Sequence, residues 1–137
     1  MDSRELVWPA LGVLGAWSAA SPFVAEILGL KLDVPARVEI VDHVMPGLAV
    51  AACSIAVLAY PRLCRPDAAA ALVLSAICVL AGLWITVSHV PLLVDAADGA
   101  VPAGTAIFHA LSGPPLLALA LVQFVGAYRA SGESEVR

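Results

Sequence analysis

Gly15-Ala16-Trp17-Ser18-Ala19-Ala20-Ser21-Pro22-Phe23 and Gly82-Leu83-Trp84-Ile85-Thr86-Val87-Ser88-His89-Val90 share the frame Gly-x-Trp-x-x-x-Ser, 67 residues apart. A second frame, His-x-x-x-Gly, follows each copy. It reads His43-Val44-Met45-Pro46-Gly47 and then His109-Ala110-Leu111-Ser112-Gly113, 66 residues apart. Two ordered matches at nearly one offset point to a duplicated unit of two helices.

The surroundings of these frames set the solvent. Of 137 residues, 61% are hydrophobic and only 13% charged, well below the quarter usual in a soluble domain. The charges gather in short stretches and leave four long apolar runs. A bilayer core of roughly 30 Å needs about 20 apolar helical residues, and each run reaches that length. The expected fold is all-α: a four-transmembrane-helix bundle forming a single integral membrane domain over residues 1–137. Its first hairpin covers residues 6–60 and its second residues 68–128. The net charge of -4 leaves no basic surface for nucleic acid. Cys53, Cys64 and Cys78 show no metal or redox spacing and read as inert thiols. Ala16 to Ser21 has the small residues of a cleavage region, but cleavage would remove the first copy of the repeat, so we read a retained helix.

Taken in order, the first span runs from Leu6 to about Leu30, with Pro9 in its first turn and Trp8 at headgroup depth. Pro22 is expected to kink it or end its regular part. The second span covers about Val38 to Ala59, with Pro46-Gly47 a turn or two inside. The third covers about Ala68 to Leu92, with Pro66 at its start, Asp67 in its first turn and Pro91 near its end. A polar loop follows from Val94 to Pro102. The fourth span covers about Ala103 to Tyr128, interrupted by Pro114-Pro115, and the tail from Ser131 is expected to fray. Four spans place both termini on one side with Arg4, Arg62, Arg65, Arg129 and Arg137, against Lys31 and Arg37 on the other. The positive-inside rule then predicts cytoplasmic termini in a multi-pass cell-membrane protein.

This topology gathers the ionisable residues. His43, His89 and His109 come from three different spans, yet all fall near the side opposite the termini, as do Glu26 and Asp42. Intramembrane ionisable groups are expensive and tend to face a bundle interior or cavity. Three readings compete. The residues are interfacial helix ends, with Asp42 and Glu39 favouring a helix N-terminus. Alternatively, they form a structural polar network with Ser21, Ser88 and Thr86. As a third reading, they hold a cofactor or metal. The cofactor version is haem b on His43 and His109, with Gly47 and Gly113 making room for the macrocycle. The metal version adds His89 with Glu26 or Asp42. Trp17 and Trp84 stand one helical turn before Ser21 and Ser88 and are expected to pack across the repeat interface.

The stretch from Leu11 to Phe23 resembles the SPW-repeat family of small integral membrane proteins. That family's pattern is Gly-x-Trp, three residues, then Ser-Pro-Trp; here Gly15, Trp17, Ser21 and Pro22 match and Phe23 replaces the last aromatic. The second copy keeps Gly82, Trp84 and Ser88 and departs at His89-Val90. The resemblance extends over about residues 6 to 128. It implies paired transmembrane hairpins and no known reaction.

No phosphate loop, hydrolase elbow or zincin motif is present, and the expectation is a non-enzymatic protein. The leading functional expectation is an accessory or assembly subunit of a larger membrane complex, in contact with the lipid bilayer and with a membrane-protein partner or a second copy. The alternatives are a haem b electron-transfer protein and a small proton- or ion-coupled transporter.

Overall fold

A computed structural model of the chain describes residues 3–64 and 69–134. It contains four helical spans long and apolar enough to cross a membrane: Leu6–Ile27, Ala36–Ala59, Ala69–Ala97 and Ala103–Gly132. No strand occurs among the described residues. Arg65, Pro66, Asp67 and Arg137, which entered the expectations above, lie outside them, as does the side chain of Arg4.

Proline chemistry explains how the spans divide. Helix α1 is Ser3–Ile27 and runs unbroken through Pro22, where a kink or an end was expected. Pro22 has no N–H for the carbonyl of Ser18, four residues earlier. Ser21 Oγ donates to that carbonyl at 2.8 Å and takes over the missing bond. The second span cannot run so evenly. It begins with α2, Ala36–Glu39, opens into a single π turn over Ile40–Val44, and resumes as α3, Met45–Ala59, with Pro46 in its first turn. The wider turn contains Asp42, whose carbonyl loses its donor because Pro46 stands four residues on. The third span breaks at His89 between α4, Ala69–Ser88, and α5, Val90–Ala97. Pro91 stands in the first turn of α5, so the helix resumes instead of ending at Leu92. The fourth span breaks at Leu111–Ser112 between α6, Ala103–Ala110, and α7, Gly113–Ser134. Pro114 and Pro115 then fall at the start of α7, where their missing N–H groups cost least. Helix α7 continues through residues expected to fray.

Helices α1 and α3 form one close-packed hairpin, and α4 and α7 the other. Contacts of α3 with α4 and of α1 with α7 join the two. Glycines set the approach within each hairpin. A Cβ on Gly15 would stand 2.8 Å from the Ala51 nitrogen, and one on Gly47 2.6 Å from the Ala19 nitrogen. In the other hairpin, a Cβ on Gly82 would stand 2.8 Å from the Leu117 nitrogen, and one on Gly113 2.9 Å from the Thr86 nitrogen. Ala51 and Leu117 are 66 residues apart, and Ala19 and Thr86 are 67 apart, so the same contacts recur at the spacing of the sequence frames. Lipid tails are as apolar as leucine, so small residues that admit dispersion contact between backbones supply much of the cohesion.

The exterior carries large apolar side chains, among them Val13, Phe23, Leu48, Ile55, Leu80 and Val122, while Ser18, Ser21, Ser54, Ser75, Ser112 and the three histidines are buried. That distribution suits lipid rather than water. A core of Trp8, Leu11, Val50, Val57, Cys78, Ile85 and Leu116 fills the centre and the end nearest the termini. Trp8, expected at headgroup depth, turns inward as a core residue, and its backbone carbonyl accepts a hydrogen bond from Ser54 Oγ. The other two tryptophans divide. Trp17 is partly exposed and meets Phe108 of the second hairpin in an edge contact, at 6.0 Å between centroids. Trp84 is half exposed on the outside of α4.

A buried histidine triad with a carboxylate at its rim

The loop face holds the α1–α2 and α5–α6 connections; the opposite face holds the termini. His43 lies in the π turn, His89 at the α4–α5 break and His109 near the end of α6, so each sits where a proline disturbs its span. All three come together just inside the loop face, with exposures of only 1%, 5% and 1%. One nitrogen of each ring lies within 4.8 Å of one from each of the others. His43 Nε2 is 2.9 Å from His89 Nε2 and 3.4 Å from His109 Nδ1.

The remaining ring nitrogens determine the tautomers. His89 Nδ1 is 2.7 Å from the Ile85 carbonyl oxygen, which can only accept, so this nitrogen carries the hydrogen. Ser88 Oγ lies 3.1 Å from the same nitrogen. His109 Nε2 likewise donates to the Leu30 carbonyl oxygen at 3.1 Å. His43 Nδ1 lies 3.3 Å from Ser21 Oγ. That hydroxyl already spends its own hydrogen on the Ser18 carbonyl, so it accepts from His43. In each neutral ring the other nitrogen then has a bare lone pair. Those are His43 Nε2, His89 Nε2 and His109 Nδ1, the three nitrogens that converge. Lone pairs facing one another at 2.9 Å repel unless a proton or a cation lies among them.

A carboxylate completes the group. Glu39 Oε2 is 3.9 Å from His43 Nε2 and 4.0 Å from His109 Nδ1, and its side chain is 17% exposed. Glu39 stands four residues before His43, which places both on one side of the helix. Its proximity to the rings was missed in the sequence, where it was read as favouring a helix terminus; its Glu-x-x-x-His spacing was the available signal.

The other expected site residues divide. Ser21 and Ser88 both contact the triad. Thr86 donates to the Gly82 carbonyl at 2.7 Å and serves α4, not the triad. Glu26 is not part of the cluster: it is exposed and pairs with Lys31 at 3.3 Å. Asp42 is part-buried and is not among the grouped ligands. His43 and His109 do not face each other across a slot. Their rings are tilted by 58° with centroids 5.5 Å apart, and the His89 ring lies 4.5 Å from that of His43. Gly47 and Gly113 are taken up by the backbones of Ala19 and Thr86. A flat macrocycle does not fit between the two histidines.

Three imidazole nitrogens and a carboxylate oxygen form a donor set suited to borderline divalent cations such as Zn2+. Two nitrogens bound tetrahedrally to zinc lie about 3.3 Å apart, given zinc–nitrogen bonds of about 2.0–2.1 Å. The separations of 2.9 and 3.4 Å bracket that value. Comparison of the chain with family models, curated proteins and solved structures gave no match, so the reading of this cluster rests on its own geometry.

Proposed function

We propose that this is an integral membrane protein that binds a borderline divalent transition-metal cation, Zn2+ by the nature of its donors, through His43, His89 and His109, with Glu39 as a fourth ligand. The observation that carries the reading is the convergence of three bare imidazole nitrogens whose opposite N–H groups are all held by oxygen acceptors. Ligating histidines characteristically anchor the non-ligating N–H in this way, which fixes the ring and raises its basicity. The alternative is a shared proton in an otherwise structural network.

Binding fits the geometry better than passage. Between the triad and the terminal face the core contains Leu11, Val50, Ile85 and Leu116, and Ser54 and Ser75 donate to backbone carbonyls. An accessory role has no distinct docking patch behind it among the described residues, whose exposed apolar side chains come from every span, as lipid alone requires. We also propose kinship with SPW-repeat proteins on the Gly15–Phe23 pattern, and cytoplasmic termini on the excess of arginine at that face.

The test is metal content. Protein purified in mild detergent without chelator is expected to carry close to one equivalent of metal, or to take up Co2+ with the visible absorption of a tetrahedral nitrogen–oxygen site. His43→Ala, His89→Ala and His109→Ala should each lower affinity by at least about 100-fold. A folded wild-type protein that binds neither Zn2+ nor Co2+ would reject the reading in favour of the shared proton.

A further inference from the structure

We infer that the triad exchanges its cation with water on the loop face alone, and that Glu39 is the ligand through which the cation enters. This rests on the metal-binding reading and adds the side from which the site is served and the residue that serves it.

Burial provides the first argument. The three histidines are closed off, whereas the Glu39 side chain, at 17% exposure, reaches both the solvent boundary and the two nearest imidazole nitrogens. A hydrated cation arriving from that side meets the carboxylate before it meets any nitrogen. No hydrogen bond ties the Glu39 carboxylate to either ring. Its oxygen stands 3.9 and 4.0 Å from the rings, beyond hydrogen-bonding distance, in ion-pair range only if a ring is charged. It belongs to a four-residue helix entered through Pro35 and followed at once by the π turn, a local geometry that recurs at functional sites.

Charge gives the second argument. The loop face carries Glu26, Asp33, Glu39, Asp42, Asp95 and Asp98 against Lys31 and Arg37, and Lys31 is tied to Glu26. A face of net negative charge at a low-dielectric boundary raises the local concentration of cations. The terminal side offers no comparable route, because the apolar core lies between it and the triad. The inferred device is a one-sided, exchangeable cation site rather than a permanently closed structural one or a pathway across the bilayer.

Two measurements with Co2+ as the probe test this. In nanodiscs, the rate of Co2+ binding is read by stopped-flow absorption. Glu39→Gln should bind about tenfold more slowly than wild type, with Glu39→Asp between them, while the helical circular dichroism of each matches wild type. An unchanged binding rate would overturn the role of Glu39, even if its loss accelerated release. Sidedness is read in sealed vesicles. The fraction of bound Co2+ stripped by external EDTA should equal the fraction of molecules whose loop face is outward. That fraction is measured by an impermeant maleimide on Ala100→Cys, relative to the parent protein. Stripping of both orientations would overturn the one-sided site. Absence of Co2+ binding by wild type would remove the metal-binding reading itself, a result distinct from either of the others.

Discussion

The two hairpins are built alike where they pack and unlike where they carry chemistry. Gly15 and Gly82, then Gly47 and Gly113, press against backbone at equivalent places. Ser21 and Ser88 are equivalent too, each donating to the carbonyl three residues before it, of Ser18 and of Ile85. His43 and His109 correspond across the repeat. His89, however, stands where the first hairpin has Pro22, and Glu39 where the second has Thr105. Symmetric positions thus make the scaffold and bring two imidazoles together, and asymmetric ones add the third imidazole and the carboxylate. Two copies of the first hairpin would lack the third imidazole, and two copies of the second would lack the carboxylate.

Breaking the common part should have the largest effect. Gly47→Val and Gly113→Val each drive a side chain into backbone of the opposing helix, which cannot swing away as a flexible side chain can. Each is expected to cost about 3 kcal/mol or more, measured by detergent-titrated unfolding in mixed micelles. Gly126→Ala, where an added Cβ meets nothing, should change stability by less than about 1 kcal/mol and serves as the control.

The serines sharpen the comparison, because their backbone bonds match and their duties to the rings do not. Ser21 Oγ is the acceptor that orients His43, so Ser21→Ala should weaken Co2+ binding about tenfold. Ser88 Oγ only supplements the Ile85 carbonyl at His89, and Ser88→Ala should weaken binding by about twofold or less. Equal losses at the two positions would remove the distinction drawn between the rings. The smallest effects belong to the tryptophans. Trp17→Ala gives up an edge contact with Phe108 and should cost about 1 kcal/mol. Trp84 faces outward, and Trp84→Ala should be closer to neutral in the same unfolding measurement.

Four apolar runs, their proline punctuation and the paired frames were enough to determine an all-α membrane bundle and the approximate end of it at which each histidine lies. Depth follows from distance along a helix, which is written in the chain. The direction each residue faces around the bundle is not written there, and it decided the rest. Glu26, Glu39 and Asp42 all belong to the loop-face end, yet Glu26 turns outward to Lys31 and Glu39 turns toward the rings. Trp8 turns into the core and Trp84, expected to pack across the repeat interface, is half exposed, for the same reason. The tautomers were further out of reach. They depend on the carbonyls of Leu30 and Ile85 and on a hydroxyl already committed to a proline-freed carbonyl, and backbone acceptors leave no mark on residue identity. The sequence by itself determined the spans and the level of the polar residues. Only helix packing, by setting rotation and the backbone oxygens within reach of each ring, decided that three bare nitrogens meet and that Glu39 stands beside them.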